Sequence, residues 1–217
     1  IPLQLSHTVK RIIGHKRVEA VETVRVDERW NPIPSSEEII PCDTMLLSVG
    51  LIPENELSRQ AGVQIDPLTG GPFVDDSFQT NIPGIFAAGN VVHVYDLVDW
   101  VSEAGRLAGI SAARFAAQVR RKENRLVPLL AGENVRYVVP HRMDRETLAE
   151  TPVRLQLRVR QPIESPVWVE VRNRTNLIAR KGELYARPGE IITLEIPTTA
   201  YDEVQKADEL TLAVVKR

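Results

Sequence analysis

Short alternations of apolar and polar residues fill the first part of the chain and predict strands. Three of them lie near the N-terminus, at residues 3–5, 9–13 and 18–26. A polar triplet at residues 14–16 separates the last two and fits a hairpin turn. The apolar run at 44–49 then predicts a buried strand, and a short helix is expected from Pro53 to about Gly62. A turn rich in glycine and proline follows at 67–72.

Residues 80–90, with the sequence TNIPGIFAAGN, depart from this pattern. A turn leads into a short apolar run at 85–88, which predicts a buried strand. That run stops abruptly at Gly89, which is followed by the polar side chain of Asn90. The question is whether this corner is an ordinary strand-turn-helix connection or the edge of a ligand site.

The next segment has the periodicity of an amphipathic helix, predicted from Asp96 or Asp99 to about residue 121. One face repeats apolar and small residues at intervals of three and four positions. The members of this face are Val101, Ala104, Gly105, Ala108, Ala112, Phe115, Ala116 and Val119. Either aspartate fits the N-cap or the first turn, and the basic run at 120–122 suits the C-terminal end.

Strict alternation returns in the last third of the chain and predicts about five strands. They lie at residues 153–160, 167–171, 177–179, 191–196 and 210–215. The preceding residues 122–151 are polar and predict a connection with a short helical segment at 145–150. Arg154, Arg158 and Arg160 share one face of the first strand, which is typical of a solvated outer face.

Composition narrows the classes of function. The 217 residues include 27 basic and 29 acidic side chains, a net charge of −2, which favours neither nucleic acid nor an anionic membrane as a partner. The sequence has no apolar run of about 18 residues, so no membrane span is expected. A single cysteine, Cys42, excludes an intrachain disulfide and fits a reducing compartment, so a cytoplasmic protein is expected. Because the first residue is Ile within an apparent strand, we expect a fragment of a longer protein; a processed mature chain or a natural short subunit are the alternatives.

The Gly89–Asn90 corner has properties that suit a bound cofactor. Glycine allows a sharp turn and lets a ligand approach without a Cβ in the way. Asn90 offers a carbonyl oxygen and an NH₂ group to hydroxyl groups. A helix that follows such a corner presents unpaired N–H groups and the positive end of its dipole. Each property alone also fits an ordinary strand-turn-helix unit.

TNIPGIFAAGN and the helix after it resemble a flavin-contacting motif of the FAD-dependent pyridine nucleotide-disulfide oxidoreductases. In that family a Pro-Gly-hydrophobic-aromatic-Ala run ends in Gly-Asp, and the acid hydrogen-bonds the ribityl chain of FAD. The resemblance implies that Gly89 allows the flavin to approach and that Asn90 stands in the place of the acid. It implies cofactor contacts for Asp96, Leu97 and Val98 at the start of the helix. The change from Asp to Asn keeps an acceptor but removes the negative charge.

A second match lies upstream at the spacing that the family shows. Residues 42–54, CDTMLLSVGLIPE, resemble the family's Asp-hydrophobic-Gly-x-x-Pro-Asn segment, which closes the NAD(P)-binding domain. Gly50 and Pro53 would then shape the junction near the nicotinamide, and Glu54 replaces the commoner Asn. The cofactors that the resemblance implies are FAD and NAD(P)H.

The resemblance covers roughly residues 1–122 and implies a fold in the α/β class. That fold would consist of incomplete, three-layer, Rossmann-like FAD- and NAD(P)-binding domains, followed by a small all-β domain. The expected segments are the end of the NAD(P)-binding domain (1–68), the end of the FAD-binding domain (69–122), a linker (123–151) and a β-sandwich-like domain (152–217). The family's two GxGxxG fingerprints are absent from this sequence, so the partner of this chain would be a missing N-terminal half.

The tail differs from the mixed α/β dimerisation domain that disulfide reductases of this superfamily usually carry. Together with residues 90–99 it resembles a bacterial branch of the family that is often discussed with glycerol-3-phosphate dehydrogenase partners and with flavin subunits of opine and amino-acid dehydrogenases. The partners implied are a second copy of the chain or a dehydrogenase subunit. No nucleic-acid partner is expected.

Other candidate residues have competing interpretations. His93 could be a proton relay near the flavin ring or a loop histidine hydrogen-bonded to backbone. Cys42 could be a redox thiol or a small core residue. Trp100 and Tyr95 could stack on the flavin or be buried against a neighbouring domain. No histidine or cysteine spacing indicates a metal site.

Two hypotheses of function follow. In the first, the chain is part of an enzyme that passes hydride and electrons between NAD(P)H, FAD and an acceptor, and it is inactive alone because half of each cofactor site is missing. In the second, it is a non-catalytic assembly subunit or fragment whose β tail binds a partner. Upstream GxGxxG loops in the parent protein would favour the enzyme.

Overall fold

The computed structural model describes residues 2–118 and 126–217 and contains two compact units, Ile1–Gly50 and Leu51–Arg217. The end of the predicted long helix, at residues 119–121, lies outside the described residues. The boundaries predicted at residues 68, 122 and 151 all fall within the second unit. No helix in the described part is long and apolar enough to cross a bilayer.

The first unit is a three-stranded antiparallel meander. Its strands are β1 (His7–Ile13), β2 (Ala20–Arg25) and β3 (Glu38–Pro41), in the order β1-β2-β3. The β1–β2 hairpin turns at Gly14, which has a φ of +133°. A Cβ added to Gly14 would lie 2.0 Å from the Arg17 carbonyl oxygen, so this position excludes a larger side chain. The strands predicted at 9–13 and 18–26 and the turn between them are confirmed.

Two other strands predicted in this unit are absent. Residues 3–5 and 44–49 form no strand, and Leu46 and Val49 are 91% and 84% exposed. A buried strand needs neighbours that pair with its backbone N–H and C=O groups. No strand within residues 2–118 or 126–217 pairs with either segment, so the prediction of a buried strand at 44–49 was wrong for this chain.

The second unit begins with α1 (Glu56–Gln60), which confirms the predicted short helix, and continues through the predicted turn at 67–72. Asn55, which is buried, holds this turn in place. Its Nδ2 group donates to the carbonyl oxygens of Gly70 at 2.8 Å and Val91 at 2.9 Å. A single side chain therefore fixes the turn against the segment that follows Gly89.

The long helix α2 spans Val98–Ala116, and the strand predicted before it does not form. Residues 85–88 are half-buried and irregular, and Phe86 makes one isolated bridge to Gln79. The chain then forms a single 3₁₀ turn, Gly89–Val91. Ala104 and Ala108 are the buried residues of the predicted face of α2, whereas Gly105, Phe115 and Ala116 of that face are exposed.

Eight strands and a short helix make up the remainder of the unit. They are β4 (Leu126–Ala131), β5 (Val135–Val139), β6 (Arg142–Asp144), β7 (Val153–Val159), β8 (Val167–Asn173), β9 (Asn176–Glu183), β10 (Ile192–Ile196), α3 (Tyr201–Gln205) and β11 (Leu210–Lys216). One sheet has the order β10-β7-β5 and the other β6-β4-β11-β8-β9. Neighbouring strands are antiparallel except β4 and β11, which are parallel.

The five strands predicted in the tail are confirmed, but the predicted connection is not irregular throughout. Residues 126–144 contain three strands, β4 to β6, and the helical segment predicted at 145–150 is the 3₁₀ helix Arg145–Ala149. These three strands are short and include a proline and several charged residues, so their alternation is weak. Tertiary packing, not local pattern, defines them.

The smaller sheet, β10-β7-β5, contributes side chains to two cores. Along β7, Leu155 and Leu157 point into a core shared with the larger sheet. On the opposite face, Tyr137 and Val139 of β5 join a second core that includes Ala104 and Ala108 of α2. Helix α2 and the β strands after it are therefore parts of one packed unit.

The close approach at the turn held by Asn55 gives a stability prediction. A Cβ on Gly71 would lie 1.8 Å from the Val92 carbonyl oxygen, so Gly71→Ala requires a backbone shift. We expect it to lower the free energy of unfolding by about 3 kcal/mol, the upper range for overpacking. The matched control is Gly109→Ala on exposed α2, where nothing lies within 4 Å; this change should raise stability by up to about 1 kcal/mol. Urea unfolding measures both, and equal effects would contradict the prediction.

Candidate functional site

Gly89 forms a sharp corner immediately before α2. Its φ is +75°, in the left-handed region, and an added Cβ would lie 3.3 Å from Cγ1 of Val101. Ala88 before it is extended, and the Val92 N–H donates to the Gly89 carbonyl oxygen at 2.9 Å. The backbone conformation therefore favours glycine strongly at this position.

Asn90 lies at the surface of the corner and uses one end of its amide internally. Its Oδ1 accepts the Tyr95 N–H at 3.1 Å, which closes the loop between the 3₁₀ turn and α2. Within residues 2–118 and 126–217 its Nδ2 group has no recorded partner, and the side chain is exposed. The amide can therefore donate a hydrogen bond to a ligand hydroxyl without losing its structural contact.

The start of α2 is exposed and has no side-chain cap. Leu97 is the N-cap residue, and Leu97 and Val98 are 58% and 74% exposed. The first-turn N–H groups of a helix have no partner further back in the helix, so they can receive an electron-rich group. Asp99 places a carboxylate in the same first turn and already complements the dipole. Asp99 therefore has one of its two predicted positions, the first turn, and Asp96 lies before the helix.

Asp96 is directed away from this exposed end and binds the β strands. Its Oδ1 accepts from Arg158 at 2.5 Å, and its Oδ2 accepts the Ile191 N–H at 2.6 Å. The same Arg158 donates to the Val94 carbonyl oxygen at 3.1 Å. Both carboxylate oxygens of Asp96 are therefore hydrogen-bonded within the chain.

This contact corrects the predicted solvated position of Arg158, one of the three arginines on this face of β7. The side chain of Arg158 is only 13% exposed, and it donates to the Tyr137 hydroxyl at 3.0 Å. Arg154 and Arg160 are exposed, as predicted, and Arg154 lies over the ring of Trp100, with 4.8 Å between the guanidinium carbon and the ring centroid. A strict alternation cannot show where a second element covers part of the polar face, as residues 94–96 cover Arg158.

His93 is enclosed in the interior. Its Nδ1 lies 3.4 Å from the Tyr137 hydroxyl and its Nε2 lies 3.3 Å from Oε1 of Gln156. Burial lowers the pKa of His93 from 6.5 to about 4, against the raising effect of Gln156. The imidazole is therefore neutral at pH 7. Its hydrogen-bond partners are side chains, whereas the prediction of a loop histidine expected backbone partners.

The two predicted aromatic candidates pack within the second unit. Tyr95 is 8% exposed and its ring centroid lies 4.3 Å from that of His93. Trp100 is half-buried under Arg154. Both residues are therefore covered within this chain, Tyr95 by His93 and Trp100 by Arg154 of β7.

The candidate residues on the nicotinamide side lie earlier in the chain. Gly50 ends the first unit, is exposed, and has a φ of +87°. Pro53 is half-buried in the second unit beside Gly70. Cys42 is a half-buried free thiol that follows β3. Across residues 2–118 and 126–217, no group of three or more His, Cys, Asp or Glu side chains could hold a metal ion.

Several residues that define the site were not singled out from the sequence. Asn55, Tyr137 and Gln156 are polar, buried and contact the segment between Gly89 and α2. Of these three, only Gln156 has a local sequence feature that could have indicated its position, because it stands between two leucines on a strand. Such a residue is indistinguishable from an outward-facing one until its covering element is known.

Comparison with known proteins identifies the first half of the chain. Residues 1–105 match the family model described as pyridine nucleotide-disulphide oxidoreductase. A thioredoxin reductase of Listeria innocua is 31% identical over 118 residues, which cover 53% of this chain and 34% of that protein. An NADH oxidase of Methanocaldococcus jannaschii is 32% identical over 101 residues, 45% of this chain and 19% of that protein. A glutamate synthase [NADH] of Schizosaccharomyces pombe is 32% identical over 98 residues, 41% of this chain and 5% of that protein.

The family match therefore covers just under half of the chain, and over residues 1–105 the chain is similar to the pyridine nucleotide-disulphide oxidoreductases. It spans about a third of the length of the thioredoxin reductase and less of the other two relatives. Its mixed sheets and few helices are consistent with a fragment of a Rossmann-like oxidoreductase. The matched residues include the Gly89–Asn90 corner and the first turns of α2.

The buried histidine gives a prediction for pH dependence. Between pH 6.5 and about 4 the unfolded chain protonates His93 while the folded chain keeps it neutral, so stability should fall as the pH falls through this window. The full effect is about 3 kcal/mol. His93→Gln removes this component and should flatten the unfolding free energy against pH, measured by urea titration. Parallel pH profiles for the variant and the wild type would contradict the prediction.

The Asp96 contacts give a second prediction. Asp96→Asn removes the charge opposite the mostly buried Arg158, so we expect a loss of about 1–2 kcal/mol in the free energy of unfolding. Asp99→Asn is the matched control, because it removes an exposed first-turn acid that contributes about 0.5 kcal/mol. Thermal and urea unfolding of both variants tests the difference. A larger loss for Asp99→Asn would show that the helix dipole outweighs the Asp96–Arg158 contact.

Proposed function

We propose that the chain is the C-terminal part of a flavin-dependent oxidoreductase that passes hydride and electrons between NAD(P)H, FAD and an acceptor. The observation that carries the proposal is the match of residues 1–105 to the family, together with the left-handed glycine corner in the matched segment. The thioredoxin reductase and NADH oxidase to which the chain is similar support the same general reaction class.

The residues at the corner suit a flavin. Gly89 leaves room for close approach, and Asn90 presents an exposed Nδ2 donor toward a ribityl hydroxyl. The uncapped first turn of α2, at Leu97 and Val98, presents backbone N–H groups to the electron-rich edge of the ring. When bound, the flavin supplies the hydride chemistry and the protein supplies position and electrostatics.

The other predicted residues have different parts in this proposal. Asp96 acts indirectly, because its carboxylate fixes the segment before α2 to Arg158 and Ile191. Gly50 and Pro53 are proposed to shape the nicotinamide side. His93 is not assigned a proton-transfer role, since it is buried, neutral and bonded to Gln156. The remainder of both cofactor sites is proposed to come from an N-terminal half of the parent protein.

The test uses the natural-length protein that contains this chain. We expect it to purify with visible flavin absorbance that NAD(P)H bleaches without oxygen. Asn90→Ala should lower FAD affinity by roughly threefold to tenfold, the value of one hydrogen bond. Asn90→Asp keeps an acceptor for the Tyr95 N–H but removes the Nδ2 donor. It therefore distinguishes loss of the hydrogen bond to the ligand from disruption of the loop.

The matched control is Asn176→Ala, which removes an exposed asparagine at the start of β9. It should leave flavin retention unchanged. A colourless natural-length protein, or equal flavin loss in the Asn90 and Asn176 variants, would contradict the proposal.

A further inference from the structure

Trp168 of β8 lies on the outer face of the larger sheet and carries two guanidinium groups. The guanidinium carbons of Arg180 and Arg217 lie 4.1 and 3.9 Å from the centre of its ring. Val167 and Val169 on either side belong to the core, so the side chain of Trp168 is directed away from that core. Trp168 is half-buried, and both arginines are exposed.

Gly182 makes room for one of these guanidinium groups above β9. It pairs with Trp168 across the sheet, and an added Cβ would overlap a terminal nitrogen of Arg217. The guanidinium group of Arg217 therefore occupies the place of a side chain at Gly182. Arg180 lies two residues earlier on β9, and alternate residues on one face of a strand are about 7 Å apart. The outer face of β9 therefore presents positive charge at two alternate positions.

Neither of these guanidinium groups has an acceptor within the described chain. Across residues 2–118 and 126–217, no oxygen accepts a hydrogen bond from the side chain of Arg180 or Arg217, and no carboxylate pairs with either. Glu170, which lies opposite Arg180 on the same face, already accepts from Arg172 at 2.8 Å. With the terminal carboxylate of Arg217 included, two negative charges stand against three guanidinium groups around the ring. This part of the face therefore keeps a net positive charge.

Two other arginines that stack on aromatic rings show what such a group binds. Arg154, which lies over Trp100, donates to Glu195 at 3.1 and 3.0 Å. Arg187, which lies over a tyrosine ring, donates to both carboxylate oxygens of Glu164 at 3.0 and 2.9 Å. Stacking uses the face of a guanidinium group and leaves its N–H edge free, and that edge matches the geometry of a carboxylate. In both cases the carboxylate comes from the chain itself, whereas the pair above β9 lacks one.

We propose that Trp168, Arg180 and Arg217 form a docking site for an acidic segment of a partner protein, in which Asp or Glu alternates along an extended strand. Two such carboxylates share one face of the strand about 7 Å apart, the spacing of alternate positions on β9. Stacking on the ring orders both arginines before binding, which lowers the entropy cost of the contact. Trp and Arg are also enriched among the residues that dominate binding energy at protein interfaces. The site lies outside residues 1–105, and neither the family match nor the proposed reaction assigns a partner to it.

The experiment compares three short peptides, each acetylated and amidated, with the 217-residue chain. The first, Thr-Glu-Thr-Glu-Thr, places both acids on one face of an extended strand. The second, Thr-Glu-Glu-Thr-Thr, has the same composition but places them on opposite faces. The third, Thr-Gln-Thr-Gln-Thr, has no charge. We expect saturable binding of the first, binding of the second that is about threefold weaker, and none of the third. Raising the salt concentration should weaken binding, because the attraction is Coulombic.

Location and affinity are measured by fluorine NMR of the chain labelled with 5-fluorotryptophan. The three tryptophans, Trp30, Trp100 and Trp168, give three signals that single Trp→Phe variants assign. The first peptide should shift the Trp168 signal in a saturable way. Trp100 is the matched control, because the arginine over its ring is already paired with Glu195. Trp30, which lies in the first unit, is a second control.

Two variants test the arrangement of the guanidinium groups. Gly182→Ala keeps every charge but displaces the guanidinium group of Arg217, and Arg180→Gln removes the other group. Each should weaken binding of the first peptide by about threefold, with folding verified by circular dichroism. The control Arg136→Gln, which removes an exposed arginine from β5, should leave binding unchanged.

The proposal would be overturned if the first peptide failed to bind in a saturable way, bound no better than the other two, or shifted signals other than that of Trp168. Unchanged binding in Gly182→Ala, or an equal loss in Arg136→Gln and Arg180→Gln, would also overturn it. Tighter binding of inorganic phosphate would assign the guanidinium groups to a single dianion instead. Self-association that Arg180→Gln abolishes, measured by sedimentation velocity, would assign them to a second copy of the chain and equally contradict the proposal.

Discussion

The pairing of Asp96 with Arg158 is the constraint on which the arrangement of the second unit depends. Arg158 lies on the polar face of β7 with a mostly buried guanidinium group, and such a group is tolerated only when it is paired and hydrogen-bonded. Asp96 supplies the charge, and the Val94 carbonyl and the Tyr137 hydroxyl supply further acceptors. The segment between the 3₁₀ turn and α2 is therefore held on β7.

The attachment positions the residues on either side of it. Because residues 93–96 are held on the sheet, His93 is carried into the interior beside Gln156, and α2 begins at Val98 with its first turn exposed. The buried stripe of α2 then packs on β5 through Tyr137 and Val139. The segment from Gly89 to Ala116 and the β strands after it are thus packed on each other.

The elements that the sequence predicted well are those with a strong local signal. Helix α2 was predictable because alanines and glycines recur on one face, and β7 and β8 because valines and leucines alternate strictly. The Gly89 corner was predicted from its resemblance to the flavin motif, and its φ of +75° agrees with a residue that must be glycine. Local pattern and local geometry coincide in these places.

The misses share a different cause. The apolar run at 44–49 has the composition of a buried strand, but burial depends on partner strands that the described chain lacks. Arg158 of β7 was predicted to be solvated, as Arg154 and Arg160 are, because alternation indicates one buried face and gives no information about a second. The contacts of Asp96 were likewise not predicted, because its carboxylate bonds to residues 62 and 95 positions later in the chain. In each case a contact distant in sequence decides the outcome.

We expect α2 and the β strands after it to unfold as one cooperative unit. Native-state hydrogen exchange of the 217-residue chain measures this directly, because it gives an opening free energy for each protected amide. Amides at Ala104 and Ala108 of α2 and at Leu155 and Leu157 of β7 should then show the same opening free energy and the same dependence on denaturant. Exchange of the α2 amides through a separate, lower-energy opening while β7 stays protected would contradict it.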